Sequence, residues 1–219
     1  MRTIVVLVLL LSSIACTNSR VVKPLHTGQL EAGLDVGGPI FRFGDNFIPM
    51  PLSSLSASYG LKPDLTLYGG WHTTAAAYGV AQIDLGVLKE ILPPDGMLPG
   101  VSFAPALNLM VDRWEFAYAA YPSIDMNLYW LAFEGPDYFY VGMANWFELR
   151  QARAHGEDQP THWVPALHAG YSWLPGRLRL TAEAKYLAPF SSNKNIAVEY
   201  LGPLDYGTLG IYLSMGYRF

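Results

Sequence analysis

Residues able to do chemistry are present in the chain, but they do not assemble into a motif. His168 and Ser172 share one face of an alternating segment, and four positions of extended chain separate them by about 13 Å. That is too far for a nucleophile and its base, so they cannot form a dyad by themselves. His162 and His72 sit near segment ends, where an acid or serine from a neighbouring segment could complete a pair. An isolated histidine in such a place serves equally well as a member of a polar network. Metal binding lacks a ligand set, because the five histidines are scattered and the single thiol is Cys16. The sequence therefore assigns no catalytic residue, no metal site and no cofactor.

The charged side chains are better organised. In 29–36, Glu31, Gly33 and Asp35 share one face, with Leu30, Ala32, Leu34 and Val36 on the other. In 178–186, Arg179, Thr181, Glu183 and Lys185 oppose Leu178, Leu180, Ala182, Ala184 and Tyr186. At the end of the chain Leu209, Ile211, Leu213, Met215, Tyr217 and Phe219 oppose Thr208, Gly210, Tyr212, Ser214, Gly216 and Arg218. Between these lie further alternating segments at 54–61, 65–71, 80–87, 101–111, 124–131 and 163–173. Pro105 is a blemish in its segment, since proline removes a ladder donor. The run 138–147 is apolar on both faces and resists orientation. No segment after about residue 27 keeps a long helical period, so the chain is all-β.

Composition narrows the class. In 219 residues, charged residues are only 15% and aromatics 14%, which is too apolar for disorder. A formal charge of −4, with no Lys/Arg cluster, offers phosphate no basic patch and excludes nucleic acid as a partner. The N-terminus reads as a targeting signal over 1–15, with Arg2 ahead of an apolar run over 4–11 that is too short to span a bilayer. Cys16 follows Ser13, Ile14 and Ala15, and two readings stand open. The stretch resembles a bacterial lipoprotein signal, which implies lipid on Cys16, although Ser13 replaces the usual aliphatic residue. Plain cleavage before a free thiol is the other reading. Residues 16–27 then form a polar leader, and 28–219 the β domain.

A soluble barrel would also alternate, so other features decide. The segments run roughly 9 to 12 residues, the length a tilted strand needs to cross hydrocarbon. Trp71, Trp130, Trp163, Trp173, Tyr186 and Tyr217 fall near segment ends on the apolar faces, as aromatic girdles do. About ten segments can be counted, with 8 or 12 as alternatives, and an even number suits an antiparallel up-and-down transmembrane β-barrel. Short turns at 62–64, 134–137 and 174–177 then share one end, and the long connections 37–51, 113–122, 150–161 and 189–207 share the other. The exceptions are the long connection 88–100 and the tight link 72–75.

The last strand resembles that of small bacterial outer-membrane β-barrel proteins, which end in phenylalanine preceded by alternating apolar or aromatic residues. Phe219, Tyr217 and Met215 carry the resemblance, which implies that barrel-assembly machinery recognises them and that outer-membrane lipid and lipopolysaccharide surround the protein. In such a barrel the polar faces look into the lumen, placing Glu31, Asp35, Gln82, Asp84, Asn108, Asp125, Asn127, His162, His168, Arg179, Glu183, Lys185 and Arg218 there. A lumen of about ten strands is narrow, so mixed charges are expected to fill it as a paired network. Closure sets the first strand beside the last and brings Glu31 or Asp35 to Arg218. The leading expectation is a non-enzymatic barrel with a mostly plugged polar lumen, whose loops, notably 150–160 and 189–207, meet a surface or envelope protein. Alternatives are a small-solute pore, a lipid-modifying enzyme of the lipid A deacylase or phospholipase kind, and a soluble lipid-anchored binding barrel.

Overall fold

The computed structural model describes residues 20–114, 116–132, 135–151, 158–159, 161–194 and 198–219. The strands are β1 (Leu30–Phe43), β2 (Asn46–Pro49), β3 (Leu52–Lys62), β4 (Leu65–His72), β5 (Val80–Leu92), β6 (Gly100–Asp112), β7 (Tyr118–Leu131), β8 (Tyr138–Phe147), β9 (Trp163–Trp173), β10 (Leu178–Ser192) and β11 (Tyr206–Arg218). Each of β3 to β11 pairs antiparallel with its neighbour in sequence, β3 pairs back to β1, and β11 pairs with β1 from Glu31↔Arg218 to Pro39↔Gly210. The result is a closed antiparallel barrel of ten strands, with β2 outside the wall as the return arm of a hairpin on β1. Closure leaves the ten wall strands without a free edge among the described residues.

Period-two alternation places the apolar residues outside. Leu34, Leu55, Leu67, Leu85, Leu167 and Leu213 are exposed, while Glu31, Asp84, Asn127, His168, Glu183 and Lys185 are buried. This inverts a soluble protein and is the expected surface of a strand bundle facing hydrocarbon. Trp71 and Trp163 mark the outward face at one end of the barrel, and Trp173 and Tyr217 mark it at the other.

Several connections are shorter than the sequence suggests, because the strands outrun the apolar belt. β1 continues to Phe43 and turns at Gly44 (φ 61°) into β2, so 37–51 is a projecting hairpin rather than a loop. β5 runs on to Leu92 and β6 begins at Gly100, so the long connection on the short-turn end shrinks to 93–99. Likewise β7 starts at Tyr118, and the link after β4 is a single helical turn, α1 (Thr73–Ala77). Pro105 stays within β6, and the β5–β6 pairing lapses between Gly86↔Ala106 and Lys89↔Phe103 without a change of register there.

The strand that resists a sequence reading, β8, puts Tyr138, Tyr140, Ala144 and Trp146 inside and Phe139 and Val141 outside. Its inner Tyr140 belongs to a recurring device, in which an inward tyrosine folds over a glycine that is its register partner on a neighbouring strand. Tyr140 covers Gly170, Tyr68 covers Gly86 and Tyr129 covers Gly100. A Cβ on any of these glycines would come within 2.4 Å of the ring or its hydroxyl. The glycines thus make room for large rings in a narrow lumen.

Candidate functional site

The polar faces meet in the lumen as three groups of contacts. The first lies at the seam where β10, β11 and β1 adjoin. Arg179 Nε donates to Glu31 Oε1 at 2.8 Å, and Arg218 Nε donates to Glu31 Oε2 at 2.8 Å. Arg179 also donates to Thr181 Oγ1 and Ser214 Oγ. Of the two acids expected near Arg218, Glu31 is its register partner, and Asp35 turns elsewhere.

The second group is built around a residue that sequence reasoning passed over. Arg20, in the leader, is buried among wall residues of four strands. Its Nη2 and Nε donate to Asp84 Oδ2 and Oδ1 at 2.7 and 3.2 Å. Its Nη1 donates to Asp35 Oδ2 and, at 2.7 Å, to Ser54 Oγ. His72 Nε2 stands 2.9 Å from Asp84 Oδ2 and 3.4 Å from Arg20 Nη2. A Cβ on Gly70 would meet Arg20 Nη2 at 2.5 Å, so the wall is cut away to seat the guanidinium.

The chain that carries Arg20 descends inside the barrel. Val21 packs with Tyr68, Leu88 and Ala104, and Val22 with Tyr129, Tyr138, Tyr140 and Leu174. Between them these contacts reach six consecutive strands of the wall, from β4 to the end of β9. Ser102 Oγ donates to the Val22 carbonyl at 2.7 Å, and the Leu25 N–H donates to Thr66 Oγ1 at 2.9 Å. Thr66 is at the short-turn end of β4, whereas His72 closes that strand at the loop end. Residues 20–25 therefore run from the loop half toward the short-turn rim, and Gly28 (φ 81°) reverses the chain into β1. The leader is polar in part only, and its Arg20-Val21-Val22 run was the available signal.

The third group joins β7, β8, β9, β10 and β11. Tyr140 Oη donates to Glu183 Oε2 at 2.7 Å, Lys185 Nζ lies 3.4 Å from Glu183 Oε1, and Lys185 stands over the Tyr212 ring. His168 Nε2 is 2.7 Å from Asn127 Oδ1. Above it, toward the loops, Val80, Met110, Tyr121 and Trp146 form an apolar cluster with Ala75 of α1. Arg150 crosses this cluster outside the wall, donating to Tyr121 Oη at 2.6 Å and to Glu148 Oε2 at 2.8 Å. Burial pushes the Glu148 carboxyl up, but hydrogen bonds and charge from Arg150 outweigh it and hold the group below the usual carboxylate range.

Of the expected lumen residues, all but His162 lie on the inward faces of their strands, with Asp125 and Arg218 half-buried. His162 lies before β9 begins, is exposed, and donates through Nδ1 to the Glu148 carbonyl at 2.9 Å. No nucleophile and base meet among the described histidines' hydrogen bonds. His168 is engaged by Asn127, and Ser172 Oγ by Thr181 Oγ1 at 2.8 Å. Ser54 and His72 are register partners, with Asp84 beyond, but the Ser54 hydroxyl accepts from Arg20 and donates to Asp35. That arrangement makes Ser54 a ligand of the guanidinium, without the hydrogen bond to a base that a nucleophile requires. Phe219, Tyr217 and Met215 face outward, with the Tyr217 and Phe219 rings edge to face at 5.0 Å. Cys16 lies outside the described residues.

Comparison with protein families and with curated protein sequences finds no match. Among solved structures the chain is similar to the translocator domain of the autotransporter NalP from Neisseria meningitidis, at 10% identity and TM-score 0.42, over 89% of this chain and 90% of that one. It is also similar to the outer membrane protein OprG from Pseudomonas aeruginosa, at 11% identity and TM-score 0.32, over 91% and 99%. The attachment invasion locus protein Ail of Yersinia pestis gives 13% identity and TM-score 0.27, over 88% and 99%. Similarity of this size extends to a barrel outline and not to an activity.

Proposed function

We propose that the chain is a bacterial outer-membrane barrel, closed at rest, with a non-enzymatic role in contacts at the cell surface. The observation that carries this reading is the course of residues 20–25 through the lumen, with Val21 packed on β4 to β6, Val22 packed on β7, β8 and the end of β9, and Arg20 seated between Asp35 and Asp84. A barrel of ten strands encloses little more than its own side chains, and an added segment leaves solutes no route. The surface role is supported by the loop end, where the β1–β2 hairpin extends past the wall and exposes Phe43, Phe47 and Ile48. Tyr200 braces it by bridging to Phe41, and the Arg42 N–H donates to the Glu199 carbonyl. In this reading residues 1–15 direct export, Cys16 takes lipid, and Phe219, Tyr217 and Met215 present the assembly signal.

The test is electrical. Full-length protein reconstituted in planar bilayers is expected to give no conductance steps at low voltage, while heat-modifiable migration on gels confirms that it is folded. Persistent open channels in folded wild-type protein would overturn the closed reading.

A further inference from the structure

We infer that the lumen contains a binding site for guanidinium cations, formed by Asp35, Asp84, Ser54 and His72, and that Arg20 occupies it as a built-in ligand. The inference rests on the reading of a barrel closed by residues 20–25 and names the chemistry that holds that segment in place.

The site has the features of a receptor rather than of a wall contact. Asp84 grips the guanidinium with both oxygens, Asp35 takes the other arm, and Ser54 fills a further acceptor position. This planar, multi-armed recognition is what a guanidinium selects and a metal ion or an anion does not. All four groups come from the barrel wall, on β1, β3, β4 and β5, so the site remains when its occupant leaves. Two carboxylates then face each other in a poorly hydrated space, a state that draws in a replacement cation. Gly70 supplies the recess, because any side chain there would meet Arg20 Nη2 at 2.5 Å and Asp84 Oδ2 at 2.8 Å.

The occupant is also held differently from the wall. Residues 20–25 belong to no strand and add two side-chain bonds to the wall beyond Arg20, from Ser102 and to Thr66. Withdrawing the segment breaks no ladder. A soluble cation of the same shape can therefore compete with Arg20 for the site, and displacement would leave an acid-lined path that prefers cations over anions.

The experiment uses the full chain with Arg20→Ala and guanidinium chloride as the probe, with sodium chloride at equal ionic strength as the control. Three results are expected. Arg20→Ala opens cation-preferring conductance where wild type is silent, millimolar guanidinium blocks it while sodium does not, and guanidinium raises the melting temperature of Arg20→Ala by a few degrees. Adding Asp84→Asn removes both guanidinium effects. A folded Arg20→Ala protein with neither guanidinium-specific block nor guanidinium-specific stabilisation overturns the site, and leaves the closed reading standing if wild type is silent. If Arg20→Ala does not refold, the yield of heat-modifiable barrel is the measurement. Rescue by guanidinium but not by sodium supports the site, and equal yields overturn it.

Discussion

Two buried guanidinium–carboxylate clasps sit in one lumen and do different work. At the seam, Glu31 receives Arg179 from β10 and Arg218 from β11, so one acid ties three strands of the wall together. Farther along β1, Asp35 joins Asp84 of β5 in receiving Arg20, so two acids of the wall hold a segment that is in no strand. The chemistry is the same and the topology is not. A clasp between strands fixes register, because Glu31 and Arg218 are also ladder partners. A clasp between wall and segment fixes occupancy, and can be undone without moving a strand.

The comparison breaks most readily at the seam. Glu31→Ala leaves the buried Arg179 and the half-buried Arg218 facing the same gap, and losing one partner of a buried ion pair costs about 3–5 kcal/mol. The expected outcome is a large fall in the denaturant midpoint of the refolded barrel. Arg20→Met is expected to cost less, about 1.5–3 kcal/mol, the range for a lost hydrogen bond to a charged group. The segment can then shift and admit water to Asp35 and Asp84, a relief the seam does not have. Equal losses for the two variants, measured side by side by urea unfolding, would contradict the distinction.

Gly70→Val sharpens it further without touching a charge. The new side chain occupies the recess of the guanidinium, while valine suits a strand. Crowding of this kind costs about 1–3 kcal/mol, and the expected readout is conductance in planar bilayers with little loss of folded yield. A silent, fully stable Gly70→Val barrel would mean that the recess does not position Arg20.

What was legible beforehand follows from what alternation reports. Period two reveals which residues face in, and it pointed to the inward acids and bases, the outward belt and the approach of Glu31 to Arg218, since a closed barrel sets its first strand beside its last. It is silent about a chain that joins no ladder, so residues 20–25 went unread despite Val21 and Val22. The same omission explains β8. Its inner face looked too apolar for a polar lumen because Tyr138 and Tyr140 pack on Val22 and Trp146 packs in the cluster toward the loops. The arrangement of Asp35, Ser54, His72 and Asp84 was hidden for a related cause, because these residues come together around Arg20, a ligand that joins no strand.

The smallest effect belongs to the loop end, where Arg150 pairs with Glu148 outside the wall. Arg150 is half exposed, and solvent screening limits such a pair to under about 1 kcal/mol. Glu148 binds its proton less readily in the folded protein than in the unfolded chain. Its contribution is therefore complete above the ordinary glutamate range and is lost as pH falls through the lowered folded value. The pair also anchors Tyr121 through the Arg150 bond to its hydroxyl, over the cluster with Trp146. Acid titration of tryptophan fluorescence should show a small step below the ordinary glutamate range that Glu148→Gln abolishes, with barrel stability at neutral pH scarcely changed. A step that survives Glu148→Gln would assign the acid response to the lumen carboxylates, and so move the pH sensitivity from the loop end to the two clasps.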